Sequence, residues 1–344
     1  MKKLWFFLLL PFLVCSVIFA GGGTILSSGV GSLLSVGAHQ RVDVGGILCL
    51  KGRDGNNWPL VTVDSGGAFR MDGRSLITGN GVSGDGGGVF VRGGKFLMSG
   101  SASVSGNAAK GSGGGVYVSR GEFTMRDSAR VSGNTAGDGG GGVYIERGRC
   151  VMDGNAAVSG NTVWFGGGVY VGAAGTLIMR GGANVSGNTA KQQGGGVYFA
   201  GRDLLVNNNA KVFGNTAGQQ GGGIYFAGWN FAMRDNATVS SNVAGGNGGG
   251  VYALVNSITM SDNAAIAGNT STKGAGGGVY LESKTLIKQG GTIYGGAADL
   301  TILRNTAASN RGNAVYYGGK NGKWRNATAG KNMGPDSYGF WLND

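Results

Sequence analysis

Histidine, proline and cysteine are nearly missing from this sequence, and charge is sparse. The 344 residues hold one His, 3 Pro and 3 Cys, and 13% are charged. The single histidine, His39, leaves no Ser/His/Asp set for nucleophilic catalysis. No His/Cys/Asp cluster has the spacing of metal ligands, so neither a metal nor a cofactor is expected. Cys49 and Cys150 cannot supply a disulfide framework. The formal charge is +12, to which Lys2 and Lys3 contribute two, but no block of five basic residues occurs. A nucleic-acid partner would call for a dense basic stripe, so none is expected. Scattered positive charge suits loose contact with anionic surfaces instead.

The chain opens with Lys2 and Lys3, followed by an apolar run from Leu4 to Phe19 and then Ala20. That is the plan of a signal peptide over 1–20, with the mature chain starting at Gly21. Cys15 offers a second reading, a lipid anchor, although Val14 is larger than the residue usually found before a lipidated cysteine. No later stretch is apolar enough to span a bilayer, so no transmembrane segment is expected in the mature chain. Export to the cell surface, the outer membrane or the medium follows as the expected localisation.

Glycine is abundant, at 76 residues, without a Gly-X-Y period. Such a composition reads as disorder unless a repeat organises it. A repeat does. Asparagine recurs at Asn80, Asn107, Asn134, Asn161, Asn188, Asn215, Asn242 and Asn269, always 27 residues apart, and again at Asn305 after nine extra residues. Met71, Met98, Met125, Met152 and Met179 keep the same interval, continued by Val206, Met233, Met260 and Ile287. Phe69, Phe96, Phe123, Cys150, Leu177, Leu204, Phe231, Ile258 and Thr285 precede them by two. A Gly-Gly-Gly-Val-Tyr marker also recurs, slipping by one residue at two places.

Each unit holds three short alternating segments, such as Val116–Val118, Phe123–Met125 and Ala129–Val131. Alternation is strand spacing. Strands this short bury their apolar side only by stacking on copies of themselves. The expected fold is therefore all-β, a right-handed single-stranded parallel β-helix of about nine 27-residue coils with three strands each, roughly 45 Å long at about 4.8 Å per coil. Residues 21–68 are expected to form an N-terminal cap with degenerate coils, 69–309 the repeat domain and 310–344 a C-terminal cap. Cys150 falls in the phenylalanine column and reads as a small buried hydrophobe. It lies about four coils from Cys49, beyond disulfide reach. The asparagines read as a structural ladder at a left-handed turn.

Gly-Gly-Gly-Val-Tyr followed by Val-Ser-Gly-Asn resembles the paired repeats of the chlamydial polymorphic outer membrane proteins. It is similar also to right-handed β-helix surface proteins of spirochaetes (treponemal repeat proteins) and gut bacteria. The likeness covers about residues 69–318, and Lys323 to Gly330 is similar to a segment of the spirochaete members. The resemblance implies a pectin-lyase-like fold and an adhesin role. The sequence departs from the chlamydial pattern where Val131 or Ile266 replaces a phenylalanine. The stretch after Asn305 is also too short for a membrane barrel.

Three functions follow as expectations. In the first, a surface or secreted rod binds a host surface protein or a glycan. Its expected contact surface is an outward aromatic strip of Phe90, Tyr117, Tyr144, Tyr170, Tyr198, Tyr225, Tyr252 and Tyr280, flanked by glycines. In the second, the fold carries a polysaccharide lyase or glycoside hydrolase. Asp235 and Asp262 are its best carboxylate pair, one coil apart and so roughly 5 Å from each other. In the third, the rod is a spacer, and the aromatic strip is sheet packing.

Overall fold

The computed structural model describes residues 15–19, 21–27, 31–254, 257–282, 286–288, 291–294, 304–308, 314–317 and 323–325. Among them there is no helix, and the chain forms a β-solenoid whose successive turns pair in parallel. Three sheets, of 19, 11 and 9 strands, run along the stack. The register repeats the sequence period: Val104 pairs Val131, Val131 pairs Val158 and Val158 pairs Val185.

The three sheets are not the three expected ones. The first two segments of each unit belong to one sheet, and in four coils they join into a single strand, as in Val116–Met125. An irregularity near Arg92 and Arg120 lets that strand bend. The third sheet consists of two-residue strands just after each asparagine, such as Thr135–Ala136 and Thr189–Ala190. Two residues are too few to show an alternation, so the sequence carries no strand signal there. One register also moves. Leu286, not Thr285, pairs with Ile258, because the last unit is one residue longer.

The core is built of columns. Phe69, Phe96 and Phe123 stack with ring centroids 5.2 and 4.9 Å apart. Cys150 pairs with Phe123 and Leu177 in the same column and is fully buried. Burial pushes its thiol up to about 12, as an apolar surrounding disfavours thiolate. Cys49 and Cys150 are both free thiols.

The stack extends at both ends. Cys15–Phe19 pairs with Gln40–Val44, which pairs with Ala68–Met71. Gly22–Leu26 pairs with Ile47–Lys51 in the second sheet. At the other end Val315–Tyr317 adds one more parallel strand, and Lys323–Arg325 closes on it antiparallel. That reversal ends the parallel template on its side of the sheet, a way of blunting an edge. Most of the stretch expected to be a signal peptide, including Leu4 to Val14, lies outside the described residues, as do Lys331, Tyr338, Phe340 and Trp341.

Candidate functional site

The asparagine column is an internal ladder with every polar atom engaged. The Nδ2 of Asn134 donates to Asn161 Oδ1 at 3.1 Å and to the Val104 carbonyl at 3.1 Å. Its Oδ1 accepts from the N–H of Asn107 at 3.0 Å and from Asn107 Nδ2 at 3.1 Å. The pattern runs to Asn305, which accepts both donors of Asn269. The nine asparagines are all buried. They have no spare donor or acceptor pointing outward for a ligand, in keeping with the rule that buried amides pair internally. The ladder also starts one coil earlier than the repeat reveals. Asn56 donates to Asn80 Oδ1 at 2.9 Å, but only 24 residues separate the two, so the 27-residue interval hides it. The left-handed residue is not the asparagine. It is the one before: Gly79, Gly106, Gly133, Gly160 and their equivalents have φ between 60° and 69°, and Ser241 takes the place at 53°.

The carboxylate pair is a turn device. Asp127, Asn208, Asp235 and Asp262 share a left-handed backbone, with φ from 53° to 56°, and Gly154 and Gly181 fill the same column. The N–H of Asn208 donates to Asp235 Oδ2 at 2.9 Å, and the N–H of Asp235 donates to Asp262 Oδ2 at 3.1 Å. Gly, Asn and Asp are the residues that tolerate this conformation, so the column is selective rather than open to any polar residue. The backbone N–H of Asp235 and the Ser261 hydroxyl hold Asp262 below the usual carboxylate range. An acid catalyst needs a shift in the opposite direction. Beside it, Asp153 pairs with Arg180 at 2.9 Å on the surface. Among the described residues no three His, Cys, Asp or Glu side chains gather as a metal site.

The aromatic column forms as one continuous stack, but most of it is not an open strip. Ring centroids from Phe90 through Tyr117, Tyr144, Tyr170, Tyr198, Tyr225, Tyr252 and Tyr280 to Tyr316 lie 4.6 to 5.2 Å apart. Tyr316, assigned by sequence to the cap, is its last member. The rings face away from the core, and those of Tyr198, Tyr225, Tyr252, Tyr280 and Tyr316 make a second apolar cluster with Ala227, Leu254 and Ala275. Tyr117, Tyr225, Tyr252 and Tyr280 keep only 9%, 7%, 8% and 8% exposure. The glycine turns lie against them: a Cβ on Gly139 would come 3.0 Å from the Tyr144 ring and 3.3 Å from that of Tyr170. Without a side chain at Gly139 the turn folds close against the Tyr144 and Tyr170 rings. Tyr144, Tyr170, Tyr198 and Phe90 stay half-buried. Tyr117 donates to Glu146 at 3.2 Å and Tyr252 to Glu282 at 2.8 Å. Burial raises these phenols first, with nearby carboxylates adding to it for Tyr117 and Tyr252.

The third sheet holds the side chains that sequence reasoning passed over. Thr135, Thr162, Thr189 and Thr216 stand one over another and are exposed. Two residues on, the same face carries Lys110, Gly137, Trp164, Lys191 and Gly218 in successive coils. Trp164 is 44% exposed, and Lys191 Nζ lies 4.7 Å from the ring centroid. The available signal was the short interval between Tyr144 and Tyr170, 26 residues, made by the Trp164-Phe165 turn.

Compared with protein-family models, curated proteins and solved structures, the chain matches none of them.

Proposed function

We propose that this protein is an exported rod, held at the cell surface, associated with an outer membrane or secreted, that works as an adhesin toward host surface proteins or glycans. The observation that carries the reading is the exposed threonine column on the third sheet. Thr135, Thr162, Thr189 and Thr216 present the same group at each coil along a rigid stack. An extended, periodic face suits many weak contacts with a large partner, where the second contact forms at high effective concentration. The signal-peptide plan of residues 1–20 and the likeness to chlamydial and spirochaete repeats support export and adhesion. The covered rings of Tyr117, Tyr225, Tyr252 and Tyr280 favour a second reading, the spacer, for the part of the surface they occupy.

The test is binding of the exported chain to arrayed glycans and matrix proteins, beside protease accessibility on intact producing cells. Saturable binding together with surface cleavage is the expected outcome. A protein retained inside the cell, or one that binds nothing on either array, would sink the adhesin reading.

A further inference from the structure

We infer that the Trp164 turn is a binding site for a neutral pyranose ring of a glycan. The inference rests on the adhesin reading and narrows it to one site and one ligand class. Trp164 breaks the repeat at a single point. The register Thr135↔Thr162 places Gly137 directly beneath Trp164 and Thr162↔Thr189 places Lys191 above it. Lys191 covers one face of the indole, while the matching position of the coil on the other side is a glycine. That glycine is obligatory, since a Cβ there would strike the Lys110 carbonyl. The result is an indole that keeps 44% exposure with a glycine at the position beneath it.

The turn is held firmly enough to present the ring. The Gln192 N–H donates to the Trp164 carbonyl at 2.9 Å, and the Phe165 N–H donates to the Asp138 carbonyl at 3.2 Å. Phe165 anchors the turn to the coil above by meeting the Tyr198 ring edge-on at 6.0 Å. Because Gly139 pairs with Phe165, Asp138 is the extra residue of the lower coil, and it is exposed in the turn. The exposed Asp138, whose carbonyl takes the Phe165 N–H, belongs to the turn just below, and the exposed Thr135 and Thr162 precede Gly137 and Trp164 by two residues on the same face. A pyranose has an apolar C–H face for an aromatic ring and a rim of hydroxyls for such partners. A carboxylate in the site accepts from sugar hydroxyls and repels an acidic sugar. Lys191 is already committed to the far side of the indole. The chemistry therefore selects a neutral ring.

The test measures binding of the exported full chain to neutral and acidic oligosaccharides, alongside Trp164→Ala, Asp138→Asn and the Tyr144→Phe control. Thermal melting of each variant checks the fold, which the exposed Trp164 and Asp138 should barely affect. Trp164→Ala should weaken neutral-glycan binding by about tenfold or more, as loss of a central aromatic contact does, and Tyr144→Phe should leave it unchanged. Undiminished glycan binding by Trp164→Ala would overturn the site while leaving the adhesin reading intact. A preference for acidic over neutral glycans would overturn the ligand class. Binding to matrix proteins with no glycan binding would overturn the inference alone, and binding to nothing would overturn both.

Discussion

The side-chain amide of Asn161 donates to Asn188 Oδ1, one coil above it, at 2.9 Å, and the N–H of Asn161 donates to the same oxygen at 3.0 Å. One carboxamide oxygen thus ties down two donors of its neighbour, and the pair repeats along the stack. Such a chain is fully buried, so each link matters in proportion to what its loss leaves unpaired.

Asn161→Ala removes the acceptor for both Asn134 donors and the donor to the Val131 carbonyl. We expect a loss of about 3–5 kcal/mol, in the range of broken buried networks. Because a solenoid is stabilised by nearest-neighbour terms, the loss should be local first. Urea unfolding of the variant, with hydrogen exchange at Val131 and Val158, checks both the size and the place. A change under about 1 kcal/mol would contradict the ladder's structural role.

The glycine positions separate two physical causes. Gly133 has φ of 62°, and a Cβ on it would meet nothing within 4 Å, so Gly133→Ala should cost only the left-handed backbone, about 1–2 kcal/mol. Gly115 faces the Gly142 carbonyl, where a Cβ would sit 2.7 Å away, and Asn134 Nδ2 at 2.9 Å. Gly115→Ala should therefore cost more, about 3 kcal/mol or above, because the next coil must shift. Denaturant midpoints of the two variants check the order, and equal values would contradict it.

The tyrosine stack should make the fold sensitive to alkali. Tyr144 and Tyr280 are both pushed up to about 12, first by burial, and then by Tyr170 and Glu282 respectively. A phenol whose folded value exceeds its unfolded value of about 10 favours the fold while neutral. Its contribution is whole below about pH 10 and is lost as pH rises through the folded value. Tyrosinate absorbance should rise late, together with loss of the β-sheet circular dichroism signal, above about pH 11. Early ionisation near about pH 10 with the sheet signal intact would mean that the rings are open to water.

Much of this architecture was legible in the sequence because a strict period forces identical residues into identical places. The phenylalanine and methionine columns, the buried Cys150 and the asparagine ladder all follow from that period. The structure parts from the sequence reading where the cause is not periodic. Asn56 escapes because its interval is 24 residues, and the two-residue strands of the third sheet because they are too short to alternate. Asp235 and Asp262 looked like a carboxylate pair, yet their spacing is that of turn residues whose oxygens take up backbone amides.

By itself the sequence determined the coil length, the parallel register and which residues form the core columns, since a 27-residue period leaves stacking as the only way to bury short apolar strands. Only the tertiary structure decided which outer faces are open. Tyr117 and Trp164 are both aromatic and both point away from the core, but Tyr117 is stacked between Phe90 and Tyr144 with its hydroxyl on Glu146, while the coil below Trp164 sets a glycine at the matching position. Exposure depends on what the neighbouring coil lays against a side chain, and that contact is set by packing between turns rather than by the order of residues within one.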